Sequence, residues 1–209
     1  SSFNLAVAMG SPWIELDVYS VEGELLVIHD DSLERTTNGV GEVMASSLEY
    51  LRSLDAGGGQ QIPSLREVTE LVDQRCSINV ELKGPDTALP VSRFLAGLCD
   101  EGWDSHAFLL SSFDHAELAK ADPRFRRGAL FNRASPDYFT RTADLHAYSI
   151  NLSSRLVSRE LIDEAHSNGL KVYVYTVNEA DEIRQMDMLG VDGVFSDFPD
   201  RVLSIFGNS

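Results

Sequence analysis

The chain has 209 residues, 43% hydrophobic and 24% charged, the make-up of an ordinary globular protein with one sizeable core. Its formal net charge of −16 argues against a nucleic-acid binder, which needs a basic face. No run approaches the ~18 apolar residues of a membrane span, and the two well-separated cysteines, Cys76 and Cys99, read as reduced packing thiols, which points to the cytoplasm.

In chain order, Leu5-Ala-Val-Ala-Met-Gly10 ends a helical pattern on a glycine and leads into the β-rich Trp13-Ile-Glu-Leu-Asp-Val18. Glycine suits the left-handed residue that closes a helix, so this is an α-to-β loop. A second strand is predicted over 25–29, ending on His29. Gly57-Gly-Gly-Gln-Gln61 is a flexible loop by composition. Ser64-Leu-Arg-Glu67, after Ile62-Pro63, is a capping box that opens a helix. Strands follow over 77–82, 107–111, 128–131 and 148–152. Ser158 and Asn178 are good N-caps for helices over 159–167 and 179–189. The glycine loop then recurs twice, at Gly169 before a strand over 171–176 and at Gly190 before one over 192–195. This alternation predicts a parallel α/β architecture, doubly wound or a barrel, in one domain over 1–209.

The chemistry is concentrated in two strands with an unusual second face. In 13–18, Ile14, Leu16 and Val18 oppose Glu15 and Asp17; in 77–83, Ile78, Val80 and Leu82 oppose Asn79, Glu81 and Lys83. A buried parallel strand is usually apolar on both faces, and a lone buried carboxylate is expensive. Glu15-x-Asp17 alone reads as a salt-bridged rim, but the second acidic strand favours an oxygen-rich site for Mg²⁺ or Ca²⁺ at a barrel mouth. Lys83, one pleat beyond Glu81, has the charge to meet a phosphate. His29, at a strand end beside Asp30 and Asp31, is placed to act as a general acid or base. His106, His115, His146 and His166 read as surface or packing residues. Strand ends at Ser111-Ser112, Asn132, Asn151, Thr176 and Ser196-Asp197 carry the small polar groups from which barrel loops build pockets. Tyr173 and Tyr175 share one face, as core or as pocket wall.

These residues fall into blocks: Trp13-Ile-Glu-Leu-Asp-Val18, Val27-Ile-His-Asp-Asp-Ser-Leu-Glu-Arg-Thr-Thr-Asn-Gly-Val-Gly41, Leu54-Asp-Ala-Gly57, Ile62-Pro-Ser-Leu-Arg-Glu67, Ile78-Asn-Val-Glu-Leu-Lys83, Val174-Tyr-Thr-Val-Asn178 and Gly190-Val-Asp-Gly-Val-Phe-Ser-Asp-Phe-Pro199. Together they closely resemble the glycerophosphodiester phosphodiesterase family, from end to end. The resemblance implies a (β/α)₈ TIM barrel, a bound Mg²⁺ or Ca²⁺, and hydrolysis of glycerophosphodiesters to glycerol 3-phosphate and an alcohol. It makes Glu15, Asp17 and Glu81 the metal ligands and His29 one of two catalytic histidines. Lys83 becomes a phosphate or metal-site contact, and Arg35, Thr36 and Thr37 a brace for the segment carrying His29. Tyr175 stands where the family often has a tryptophan, beside the substrate.

Family members open with a strand ending His-Arg-Gly and then Pro-Glu-Asn, whereas this sequence starts inside the following helix, at Phe3. The expectation is therefore a barrel without its first strand, with the other histidine, a phosphate-binding arginine and a further carboxylate outside these residues. The partner expected is a small glycerophosphodiester, with neither nucleic acid nor stable membrane association, in a monomer or small homo-oligomer. Two other readings keep the fold: a phospholipase D-like enzyme acting on lysophospholipids, for which no apolar rim is evident in the sequence, and a catalytically dead barrel used as a binding module.

Overall fold

The computed structural model of the chain describes residues 2–206. Its strands are β1 (Trp13–Val21), β2 (Glu24–Val27), β3 (Ser77–Lys83), β4 (Phe108–Ser112), β5 (Arg126–Phe131), β6 (Ser149–Ser153), β7 (Lys171–Tyr175) and β8 (Gly193–Val194). Its α-helices are α1 (Ser2–Ala8), α2 (Leu48–Ser53), α3 (Leu65–Val72), α4 (Ala88–Asp100), α5 (His115–Ala119), α6 (Tyr138–Asp144), α7 (Arg159–Ser167), α8 (Ala180–Leu189) and α9 (Pro199–Phe206). One sheet runs in the order β2-β1-β3-β4-β5-β6-β7-β8. From β1 through β3 to β8 every neighbouring pair is parallel. This is the (β/α)₈ barrel short of one parallel strand, as expected, and among the described residues the sheet does not close between β8 and β1.

One strand departs from the parallel plan. β2 turns back antiparallel on the last four residues of β1. The two turn residues, Glu22 (φ 49°) and Gly23 (φ 87°), are both left-handed, the backbone of a tight two-residue hairpin. The local capping signals behave as read at Ser64, where the serine oxygen accepts from Glu67 N–H and the Glu67 carboxylate accepts from Ser64 N–H, and at Ser158, which accepts from Leu161 N–H. Asn178 does not cap α8, whose N-cap is Glu179. Its amide is drawn to the chain after β8 instead, donating to the Asp197 carboxylate and accepting from Asp197 N–H. A tertiary partner outcompetes the local cap.

The two faces of the sheet divide the sequence cleanly. Ile14, Leu16, Val18, Ile78, Val80, Leu82, Phe108, Leu110, Ile150, Leu152, Val172 and Val174 belong to the main core, packed under the helices. Alternation turns Glu15, Asp17, Asn79, Glu81, Ser111, Gly128, Asn151, Tyr173 and Tyr175 to the inside of the curve. A second, smaller core of Tyr19, Val21, Leu26, Ile28, Leu33, Val43, Leu51, Leu54 and Ile62 forms around the hairpin and residues 28–64. This excursion carries His29, and its anchoring fixes that residue relative to the barrel. Gly57 to Gly59 form a defined turn within it: all three have positive φ, and Asp55 accepts from Gly57 and Gly59 N–H. A cavity of about 930 Å³ is lined by Glu15 and Asp17 from one face of β1 and by Leu16 from the other. A space that touches both faces of a strand runs along that strand's edge, so it marks the opening beside β1.

Candidate active site

Glu15 and Asp17 come from β1 and Glu81 from β3, with Asp17 directly opposite Glu81 in register. One oxygen of each of the three carboxylates lies within 4.8 Å of the others. The spacing follows from the two-residue side-chain period on paired parallel strands. The sequence placed these acids on one face; register brings them together.

The Lys83 ammonium, on the same face, stands 2.7 Å from Glu81 Oε1 and 3.2 Å from Asp17 Oδ1. Both the salt bridge and the gathered acids are therefore present. Burial pushes Glu15 well above the usual carboxylate range, reinforced by the like charges of Asp17 and Glu81. Burial also raises Asp17 and Glu81, and in both Lys83 opposes it. Burial alone would lower the Lys83 pKa, but the charges of Glu81 and Asp17 outweigh it and raise it. Three carboxylates against one ammonium leave the site short of positive charge.

His29 follows the end of β2, its side chain 69% exposed and so open to a substrate. Its Nδ1 is 2.6 Å from Asp30 Oδ1. Arg35 holds the same carboxylate with two nitrogens, Nε on Oδ2 and Nη2 on Oδ1. Those contacts, Arg35 foremost, hold the Asp30 carboxyl far below its ordinary range. Arg35 thus braces the histidine through Asp30, and Thr37 ties the same loop by donating to Leu33 O and accepting from Gly39 N–H. Tyr175 reaches from the end of β7 to donate to Phe131 O at 2.7 Å, and packs edge-to-face with Phe113 from the end of β4, ring centres 5.8 Å apart. It forms an aromatic wall across the barrel mouth. Tyr173, one pleat deeper, packs edge-to-face with Phe195. Of the other histidines, His115 faces the Leu130 carbonyl and His166 pairs with Asp192, both structural.

The sequence profile of the Glycerophosphoryl diester phosphodiesterase family matches residues 1–201. The chain belongs to that family. It is accordingly an enzyme of the glycerophosphodiester phosphodiesterase class. It is 36% identical to a glycerophosphodiester phosphodiesterase of Bacillus altitudinis over 98% of this chain and 90% of the relative. With the enzyme of Caldanaerobacter subterraneus subsp. tengcongensis the identity is 31% over the same shares. A phosphodiesterase of Oleispira antarctica, solved in complex with the product sn-glycerol-3-phosphate, superposes with a TM-score of 0.87 at 26% identity, covering 98% of this chain and 89% of that one.

Sequence reasoning assigned no chemistry to three groups close to these acids. Asp30 was read only as a neighbour of His29, because nothing in a linear string says which way a carboxylate turns. Asp197 was read as a polar strand ending, yet its charge raises the Glu15 pKa, so it lies within electrostatic reach of the acids. Thr36, whose hydroxyl is buried without a hydrogen-bond partner among the described residues, lines the cavity beside Glu15.

Proposed function

We propose that the chain cleaves glycerophosphodiesters to glycerol 3-phosphate and an alcohol, with a divalent cation, Mg²⁺ or Ca²⁺, held by Glu15, Asp17 and Glu81. The observation that carries this reading is the 4.8 Å gathering of three acidic oxygens on the inner barrel face. That separation spans opposite ligands of a hard cation whose oxygens lie at roughly 2.0–2.6 Å. The donor set is all oxygen, and Glu15 Oε1 is buried with no hydrogen-bond partner among the described residues. The Lys83 ammonium already sits between two of the acids as a positive charge would. When bound, the cation supplies Lewis-acid polarisation of a phosphoryl oxygen and lowers the pKa of a coordinated hydroxyl.

The chain's own residues do the rest. Lys83 adds positive charge beside the phosphoryl group as negative charge gathers there. His29 moves a proton at its Nε2, because Nδ1 is engaged by Asp30. Asp30, clamped by Arg35, holds the ring in one orientation and favours that tautomer. Tyr175, within electrostatic reach of Glu81 and Lys83, bounds the substrate together with Phe113. A cytoplasmic setting fits the two free thiols.

The test is hydrolysis of glycerophosphocholine or glycerophosphoethanolamine with and without a chelator, in parallel with Glu81→Gln and His29→Ala. Loss of turnover in all three arms supports the reading. Undiminished turnover in chelator removes the cation from it, and undiminished turnover in either variant removes that residue.

One observation favours a second substrate class. Met44 packs against Gly84 just past β3, Phe113 follows β4 and Phe198 follows β8, and all three are exposed. These three exposed apolar side chains, each following a different strand, would suit a lysophospholipid tail. Faster turnover of a lysophospholipid than of a water-soluble diester would select that reading.

A further inference from the structure

Barrels of this architecture are packed inside with branched aliphatic residues. This one is polar beside its acids. Asn79 lies opposite Glu15 in register, Ser111 opposite Glu81, Gly128 opposite Ser111, and Ser149 opposite Gly128. Asn79, Ser111 and Asn151 are 3%, 0% and 0% exposed. Nevertheless Asn79 Oδ1, Ser111 Oγ and Asn151 Nδ2 have no hydrogen-bond partner among the described residues, and neither has Glu15 Oε1, whose residue lies opposite Asn79 in register. Buried polar groups are nearly always paired, with protein or with ordered water.

The arrangement is built rather than left over. The Ser149 hydroxyl donates to Asn151 Oδ1 at 2.8 Å, which fixes the amide and leaves Nδ2 as its free end. Space for that amide depends on Gly128: a Cβ there would lie 2.9 Å from Asn151 Nδ2 and 3.0 Å from Ser149 Oγ. Gly128 has no left-handed backbone, so room for Asn151 is the reason a glycine suits the position. The free atoms are an amide donor, an amide acceptor, a hydroxyl that does both, and a carboxylate oxygen. Water, which needs two to four polar partners, matches that set.

We propose that Asn79, Ser111 and Asn151 form an internal water-binding site beside the carboxylate cluster, and that its water holds the Glu15 carboxylate in the orientation that ligates the cation. The second half rests on the cation reading above; the first does not. Asn79, Ser111 and Asn151 are then positioning residues that act through water and Glu15. Groups behind metal ligands commonly change cation affinity by about 10- to 100-fold.

A crystal structure of the protein at a resolution that shows ordered solvent decides the first half. Density for water at about 3 Å from both Asn151 Nδ2 and Asn79 Oδ1 is expected. A dry interior, or a direct hydrogen bond between the two amides, would overturn it. The second half is read by calorimetric titration of Mg²⁺ and Ca²⁺ into the protein, Asn151→Leu and the milder Ser111→Ala. Binding is expected to weaken about tenfold in the variants, and unchanged affinity in a folded Ser111→Ala protein would overturn the positioning role. An unsubstituted protein that binds neither ion overturns the cation reading itself, whereas the internal density is judged without any cation.

Discussion

The Lys83 ammonium lies 2.7 Å from Glu81 Oε1, two residues back on the same strand and on the same face. The pair is partly buried, and Asp17 completes it from the neighbouring strand. An ammonium there partly offsets the acids and competes with a cation for them. Lys83→Gln should therefore bind Mg²⁺ or Ca²⁺ at least as tightly as the parent while losing roughly 10²-fold in kcat, the scale set by removing one electrostatic contact to a transition state. Calorimetry and steady-state kinetics separate the two effects. Unchanged kcat would exclude Lys83 from the reaction.

Raised carboxylate pKa values make stability depend on pH in a stated direction. Burial raises Glu15, Asp17 and Glu81 in the folded state, so above the unfolded carboxylate range the folded chain holds more protons than the unfolded one. Stability of the cation-free protein then falls as pH rises through the folded pKa values. A divalent cation should reverse the loss, since it binds the ionised acids. Scanning Tm from pH 5 to 8 with chelator and with excess Mg²⁺ or Ca²⁺ is expected to show a cation-induced rise that grows with pH. Glu15→Gln should flatten the chelator curve; a curve as steep as the parent's would contradict the assignment.

Asp30 touches His29 and Arg35 directly, and reaches the acids only through the weak effect of its charge on Asp17. Asp30→Asn weakens the contact at His29 Nδ1 and the paired contact with Arg35. A misplacement of about 1 Å costs on the order of 10²-fold in rate, so kcat should fall by that order with little change in KM or cation affinity. Arg35→Lys should fall in between, because a lysine cannot grip both carboxylate oxygens as a guanidinium does. Equal losses in KM and kcat would argue that the loop simply unfolds.

Arg127 tests the scaffold apart from the site. It faces the helices from β5, donating from Nη1 to Leu145 O just past α6 and from Nη2 to Ala121 O just past α5. Arg127→Met leaves both carbonyls unpaired in a buried place, at a cost of about 2–3 kcal/mol. Urea unfolding should show that loss while kcat below the transition is unchanged. A fall in kcat would mean that these helix ends reach the barrel mouth.

Alternation along 13–18 and 77–83 was enough to place Glu15, Asp17 and Glu81 on one face, because side-chain direction in a strand is a local property. The capping box at Ser64 and the glycine-closed helices before β7 and β8 were legible for the same reason. So was the family, since its motifs are contiguous in the chain. Tertiary structure alone decided the rest. The meeting of three acids depends on the register of β1 against β3, which are more than fifty residues apart. The recruitment of Asn178 away from its helix and the unpaired polar layer around Asn151 depend on partners distant in sequence, and the turn of Asp30 toward its near neighbours His29 and Arg35 depends on the folded shape of their loop. Patterns read direction; only packing decides which neighbours those directions meet.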